Sequence, residues 1–190
     1  MADLVIETQY GTSMKANLDE RGLPVLRMNN LTADGRVNLD SLKWVEIIER
    51  EWPKFTVKRG DLIFNRTNSR ELVGKTAVWH SDENYALAGY LIRVRFKPDK
   101  ATADYVAGYL NSPHGKAYLF AKAKPSVNMS NFSASEFRRI PILAPPLALQ
   151  EKYTEVVAQI RGLRSAQECL DNPSDNLFNA LVQRAFRGEL

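Results

Sequence analysis

A run of hydrogen-bonding side chains follows the apolar segment Leu62–Phe64 and offers recognition chemistry without a catalytic group. Residues 60–69 read GDLIFNRTNS, and every residue from Asn65 to Ser69 is polar. Arginine can pair with guanine, asparagine with adenine, and serine or threonine with base edges or phosphates. An ordinary polar loop, or one that braces the strand end, has the same composition, so both interpretations stay open here. The candidate DNA contacts are Asn65, Arg66, Thr67, Asn68, Ser69, Arg70 and Lys75.

Two further stretches have the same polar character. YGTSMK (10–15) places a glycine, which allows close backbone approach, ahead of a lysine that can meet a phosphate. KPSVNMSN (124–131) supplies a third polar stretch. The candidate contacts in these two stretches are Tyr10, Gly11, Thr12, Ser13, Lys15, Asn128 and Asn131.

Familiar catalytic and metal-binding motifs are missing from the chain. Both histidines are isolated, and neither a GxSxG nucleophile elbow nor a GxxxxGK[ST] phosphate loop occurs. A metal-dependent nuclease site built on Asp61, Glu71 and Lys75 is rejected, because residues four apart on a strand lie about 13 Å apart. Cys169 is the only cysteine, which excludes an internal disulfide and a multi-cysteine zinc site. We therefore predict no catalytic residue, no metal and no cofactor in this chain.

Length and charge restrict the class of protein. The 190 residues suit one domain with a helical extension, and no run approaches the ~18 apolar residues of a membrane helix. Residues 1–148 carry 21 Lys and Arg against 16 Asp and Glu, whereas residues 149–190 carry 5 against 6. This mild basic excess fits a nucleic-acid partner, although a solvated surface explains it at least as well. No secretory signal begins the sequence, so a cytoplasmic protein is expected.

Strands must position the polar stretches, because apolar alternation dominates residues 1–100. A turn at Arg59-Gly60-Asp61 leads into the strand that precedes the polar run. The predicted strands are Leu23–Met28, Leu62–Phe64, Val73–His80 and one within Tyr85–Pro98.

Helices dominate the rest of the chain. Thr102 and Ser112 are predicted N-caps, and Ser133 forms a capping box with Glu136. The segment RIPILAPPLALQ (139–150) predicts a strand and then a stiff hinge at its two adjacent prolines.

A heptad pattern begins at Gln150 and is typical of a coiled-coil seam. Pro173 lies within it and predicts a kink or a break. We therefore expect an α+β fold, with a β-rich recognition domain over residues 1–146 and a helical dimerisation region over residues 147–190. The predicted contacts to a second copy or partner chain are Tyr153, Val156, Ile160, Leu163, Leu170, Leu177, Phe178, Leu181 and Phe186.

Several of these segments, in this order, resemble the specificity (S) subunit of type I restriction-modification systems. They are YGTSMKA (10–16), PVLRMNN (24–30), GDLIFNRTNSRELVGKTAV (60–78), IPILAPPLALQ (140–150) and LFNALVQRAFRGEL (177–190). The closing AFRGEL and the strand before the polar run are specific for that family. Its usual subunit has two target-recognition domains and two helical regions, and one of each is found here. The resemblance therefore implies a half-length form or a fragment that pairs with itself.

The resemblance also implies partners and favours DNA contact for the polar stretches. It implies double-stranded DNA with a bipartite site and a methyltransferase (M) subunit that binds S-adenosylmethionine and modifies adenine. A restriction (R) subunit can join the complex, and no membrane is involved. The alternatives that remain are a free-standing metal-dependent nuclease and a protein-only dimeric scaffold.

Overall fold

The computed structural model describes residues 1–123 and 129–186, with side chains as far as residue 167. Its largest sheet consists of four antiparallel strands in the order β1-β8-β4-β6. These strands are β1 (Val5–Tyr10), β4 (Leu62–Asn65), β6 (Thr76–Val78) and β8 (Leu91–Phe96). Because β1 and β4 both pair antiparallel with β8, they run in the same direction, and their carboxyl ends lie at the same edge of the sheet.

Two smaller sheets support this edge. Strand β2 (Leu23–Leu26) lies between β3 (Lys43–Val45), to which it is antiparallel, and β7 (Ala86–Leu87), to which it is parallel. The short strand β5 (Thr67–Asn68) follows β4 and pairs with β9 (Ser130–Asn131). The pairing of β5 with β9 ties the polar run after β4 to a segment more than sixty residues further along the chain.

Strand β4 is buried on both faces, which explains why its segment is almost continuously apolar. Leu62 and Phe64 point to one side and pack in a cluster with Val106 and Leu110. Ile63 points to the other side, into a cluster that includes Trp79 and Leu91. Alternating side chains on a strand lie on opposite faces, so apolar residues at consecutive positions require cover on both sides.

Local capping signals determine where the shorter helices begin. The helices are α1 (Trp52–Phe55), α2 (Ala103–Asn111), α3 (Pro113–Lys122), α4 (Ala134–Arg138) and α5 (Leu147–Phe186). The hydroxyls of Thr102, Ser112 and Ser133 accept hydrogen bonds from backbone amides in the first turns of α2, α3 and α4. The three predicted caps and the predicted α+β class are confirmed.

Two predicted features are wrong, and both involve proline. Residues 139–146 contain no strand, because the prolines at 141, 145 and 146 have no amide to donate to a sheet. Of the kink or break predicted at Pro173, the break is absent, since α5 continues through it to Phe186, and the kink stays a prediction. A proline inside a helix removes one hydrogen bond, and the turns on either side keep theirs.

A buried glutamine fastens the first turn of α5 to neighbouring segments. Gln150 is fully buried, and its amide nitrogen donates to the carbonyl oxygens of Lys100 (3.0 Å) and Pro145 (2.9 Å). Its side-chain oxygen accepts from the backbone amide of Thr102 (3.1 Å). These contacts connect the start of α5 to the start of α2.

The chain divides into two units, Met1–Glu151 and Lys152–Leu190. The division falls five residues after the predicted boundary at 146/147, and a separate function for each part stays a prediction. In the second unit, the exposed fractions of Tyr153, Val156, Ile160 and Leu163 range from 39% to 72%. The side chains of the later seam residues, Leu170, Leu177, Phe178, Leu181 and Phe186, lie outside the described part. Although α5 is 40 residues long, no described helix has an apolar stretch that could cross a membrane.

Candidate nucleic-acid interface

The sheet topology brings two of the three predicted polar stretches together. Tyr10 at the end of β1 pairs with Ile92, and Asn65 at the end of β4 pairs with Leu91. One strand therefore separates the two ends, which corresponds to about 10 Å. The segments that follow Tyr10 and Asn65 leave the sheet side by side, and the segment around Asn131 joins them through β9.

Gly11 approaches protein backbone, which corrects the expectation that it makes room for DNA. Its amide donates to the carbonyl of Leu91 (3.1 Å), and the next amide, that of Thr12, donates to Leu87 (2.7 Å). A Cβ at Gly11 would lie 2.3 Å from the carbonyl oxygens of both Leu87 and Ala88. Glycine is therefore required so that the segment after β1 can pack on the turn between β7 and β8. Thr12 is buried as well, and its hydroxyl accepts from the amide of Met14 (3.2 Å).

Two residues of the polar run are structural braces. Asn65 is 0% exposed, and its side-chain oxygen accepts from the amide of Thr67 (3.4 Å). Thr67 is 6% exposed, and its hydroxyl donates to the side-chain oxygen of Asn131 (2.6 Å). Asn65 presents no surface to solvent and Thr67 presents very little, so of the two interpretations left open by the sequence, the structure favours the brace for these two side chains. Thr67 ties β5 to β9 through Asn131, and Asn65 fixes the start of β5 through the Thr67 amide.

Asn68 ends β5, and Ser69 begins the turn that follows, where its carbonyl accepts from the amides of Leu72 and Val73. The side chains of Asn68 and Ser69 are partly exposed. The side-chain oxygen of Asn68 accepts from the amide of Ser69 (2.9 Å), so this asparagine shapes the turn while its amide nitrogen stays available to a ligand.

Arg66 is held in place and keeps hydrogen-bonding capacity. Its Nε donates to the carbonyl of Phe132 (3.0 Å), and its guanidinium lies 5.1 Å from the ring centroid of Tyr10. The Tyr10 hydroxyl in turn accepts from the amide of Ala134 (2.8 Å), in the first turn of α4. The described residues give the two terminal nitrogens of Arg66 no hydrogen-bond partner. A guanidinium fixed on one edge and open on the other suits bidentate contact with a base or a phosphate.

Lys75 and Arg70 are not part of this arrangement. The Lys75 ammonium donates to the carbonyl oxygens of Met28 and Leu31, and burial lowers the pKa of this group. The expected DNA contact of Lys75 is therefore corrected to a contact that braces the segment after β2. Arg70 donates to the carbonyl of Phe120 (3.3 Å) and lies 4.2 Å from the centroid of its ring. Both residues line a separate cavity of about 60 Å³.

The three polar stretches border one cleft of about 600 Å³. Its predicted members are Thr12, Ser13, Arg66, Thr67 and Asn131, and Lys15 is exposed nearby in sequence. Asn128 lies outside the described residues. The cleft also contains residues that we did not predict: Met14, Ala16, Val25, Arg27, Met28, Asn29, Ala88, Gly89 and Tyr90.

A sequence signal existed for some of these residues. Arg27 and Asn29 stand at the end of the predicted strand Leu23–Met28, much as the polar run stands at the end of its own strand, so these two residues could have been found. Nothing in the sequence distinguishes Tyr90, because its place depends on the turn between β7 and β8 docking on Thr12.

An ion-pair network lies beneath the same sheet and was not predicted. Arg93 is 2% exposed and contacts Glu7 (3.1 Å) and the carbonyl of Pro53 (3.0 Å). Arg95 bridges Glu7 (3.1 Å) and Asp61 (2.7 Å), and its bond to Asp61 raises the pKa of Arg95. Desolvation lowers the pKa of Arg93. This network joins β1, β8 and the start of β4 and has a structural role.

The described part of the chain offers no candidate metal site. Residues 1–123 and 129–186 contain no group of three or more His, Cys, Asp or Glu side chains placed to hold a metal ion. The Nε2 of His80 lies 3.3 Å from a carboxylate oxygen of Asp104.

Comparison with known proteins identifies relatives of a single kind, although no family model matches the sequence. The chain is 27% identical, over 98% of its length, to the type I restriction enzyme EcoKI specificity subunit of Escherichia coli K12. It is also 27% identical, over 68% of its length, to the EcoEI specificity subunit of Escherichia coli. The chain spans 41% and 24% of these two relatives, respectively.

Solved structures show the same fold. The HsdS subunit from Thermoanaerobacter tengcongensis matches with a TM-score of 0.55 at 19% identity, over 98% of this chain and 44% of that one. A chain from a study of complex assembly and conformational transition of the type I R-M system matches with a TM-score of 0.57 at 19% identity, over 97% and 44%. The curated homologues of this chain are therefore specificity subunits of type I restriction enzymes, and its fold matches part of an HsdS subunit.

Proposed function

We propose that this chain recognises a DNA sequence for a type I restriction-modification complex and performs no catalysis of its own. A partner methyltransferase subunit, which binds S-adenosylmethionine, modifies adenine at the recognised site, and a restriction subunit can join. The observation that carries the proposal is the convergence of Ser13, Arg66 and Asn131 at one edge of the sheet, in a chain whose homologues are specificity subunits. Such a complex acts on DNA in the cytoplasm.

The chemistry of this edge fits base or phosphate contact. Arg66 offers two terminal nitrogens, which is the donor pattern that guanine O6 and N7 accept. Asn131 is exposed, and its side-chain oxygen is engaged by Thr67, so its amide nitrogen has no partner among the described residues and can donate. Ser13 and Lys15 are exposed on the segment after β1 and can contact phosphate.

Self-pairing through α5 completes the proposal. The chain spans 41% of the EcoKI relative, and two copies would restore a protein of comparable length. The exposed seam at Tyr153, Val156, Ile160 and Leu163 supports a helical partner, because apolar side chains at heptad spacing bury best against another helix. We assign DNA recognition to residues 1–146 and pairing and partner docking to residues 147–190.

The test is methylation by the complex assembled from this chain and its partner methyltransferase. Arg66→Ala removes the open guanidinium and keeps the fold. A lost bidentate base contact weakens specific binding by roughly 5- to 150-fold and relaxes the sequence preference at one position. A lost phosphate contact weakens binding to all sequences and lowers the salt slope by about one.

Arg59→Ala is the matched control. Arg59 carries the same charge and forms an exposed pair with Asp82 (2.8 Å), away from the cleft. The Arg59→Ala variant should leave methylation unchanged. If Arg66→Ala also leaves both methylation and the salt slope unchanged, Arg66 does not contact DNA. Metal-dependent DNA cleavage by the chain alone, or assembly that never responds to DNA, contradicts the proposal as a whole.

A further inference from the structure

The charge of the cleft lining exceeds what contact with base edges requires. Its described lining contains two arginines, Arg27 and Arg66, and no aspartate or glutamate. The Nε of Arg27 is buried and lacks a partner among the described residues, while its terminal nitrogen donates to the carbonyl of Ser41 (2.6 Å). The cleft is therefore suited to an anionic ligand.

The walls of the cleft are mainly apolar. Met14 and Tyr90 line it, and each side chain is about half exposed. A thioether and an aromatic ring pack well against a flat heterocycle. Ala16, Ala88 and Gly89 are small, which leaves room beside these two side chains. A duplex presents base edges and phosphates, so a base can place its face on Met14 or Tyr90 only after leaving the stack.

Volume and charge together define the ligand. About 600 Å³ lies within the range of pockets that hold small molecules and gives room for one nucleotide. The apolar side of the cleft matches a base, and its arginines match a phosphate.

We propose that the cleft binds one extrahelical nucleotide of the recognised DNA, with its base against Met14 and Tyr90 and its phosphate beside Arg66. This proposal rests on the proposed function, because it specifies how the same edge contacts DNA. The nucleotide is distinct from the adenine that the partner methyltransferase modifies. Ser13 and Asn29, both exposed at the cleft, are placed to contact the polar edge of the base.

A mismatch scan on the assembled complex tests this. Each base pair of the recognised duplex is replaced in turn by a mismatch, in which the base of the recognised strand is kept and only the opposite base is changed. The affinity of the complex for each duplex is measured by fluorescence anisotropy. Mismatching removes part of the energy needed to extract a base, so affinity should rise about tenfold or more at one position other than the methylated adenine. A fluorescent base analogue at that position should brighten on binding.

Variants connect this signal to the cleft. Tyr90→Ala should weaken binding about 5- to 150-fold, as expected for a lost stacking contact, and should abolish both the mismatch gain and the brightening. Its backbone carbonyl, which accepts from the amide of Arg66, is unchanged. Phe120→Ala removes a similarly exposed aromatic side chain outside the cleft. It should change neither the affinity nor the two signals, the mismatch gain and the brightening.

The outcomes separate the two proposals. If the complex binds specifically and methylates but no mismatch outside the target adenine raises its affinity, the extrahelical nucleotide is overturned and the proposed function stands. The same holds if a mismatch raises the affinity and this gain survives Tyr90→Ala. Absence of any sequence-specific binding by the complex overturns both.

Discussion

Gln150→Leu should destabilise the first unit by removing three hydrogen bonds from a buried position while nearly conserving side-chain volume. Gln150 is 0% exposed, so the substitution creates no large cavity and adds no exposed apolar surface. It leaves the amide of Thr102 and the carbonyls of Lys100 and Pro145 without this partner.

The magnitude follows from these three groups. An unsatisfied buried polar group costs about 1–3 kcal/mol, and partly buried groups such as these lie at the lower end. The expected loss is therefore about 3 kcal/mol of unfolding free energy. For a unit of this size, that lowers the melting temperature by roughly 6–12 °C.

Thermal unfolding followed by circular dichroism measures the loss. Glu151→Leu is the matched control, because the next residue of α5 is exposed and should change stability by less than about 0.5 kcal/mol. A melting temperature for Gln150→Leu within about 2 °C of the control would refute the assignment of Gln150 as the brace at the start of α5.

Three further predictions concern the backbone, a buried cation and the DNA target. Gly11→Ala should lower the melting temperature, because the added Cβ would lie 2.3 Å from two backbone carbonyl oxygens. Gly162→Ala should instead stabilise α5 by up to about 1 kcal/mol, because the added Cβ would meet none of the described neighbouring atoms within 4 Å. Lys75→Met should cost about 1–3 kcal/mol near neutral pH through lost bonds to Met28 and Leu31. Burial lowers the pKa of Lys75 in the folded state, so the unfolded state holds more protons in the alkaline range. In urea unfolding, the difference in unfolding free energy between the parent chain and Lys75→Met should therefore widen as pH rises through the lowered pKa. Finally, two paired copies carry identical readers, and α5 spans about 60 Å at 1.5 Å per residue, so mapped adenine methylation should reveal an inverted repeat with a gap. An asymmetric bipartite motif would mean that a second, different reader is present.

Features that depend on neighbouring residues were determined by the sequence alone. The caps at Thr102, Ser112 and Ser133 act within one turn, so the helices begin where these residues predict. The strand Leu62–Asn65 is apolar enough to be recognised without its partners. The proline-rich segment after Arg139 misled the prediction, because its apolar residues resemble a strand while its prolines cannot donate to one.

Tertiary structure alone decided which polar residues face solvent. Asn65, Arg66 and Thr67 are all polar and adjacent, yet the pairing of β4 with β8 and of β5 with β9 accompanies burial of the first and third and leaves the second partly exposed. Gly11 approaches Leu87 and Ala88, and Tyr90 enters the cleft, only because segments about eighty residues apart pair across the sheet. Local sequence specifies what a side chain can donate or accept. Long-range pairing determines whether a neighbouring strand uses that capacity or leaves it for a ligand, because burial and partner choice depend on residues that are distant in the chain.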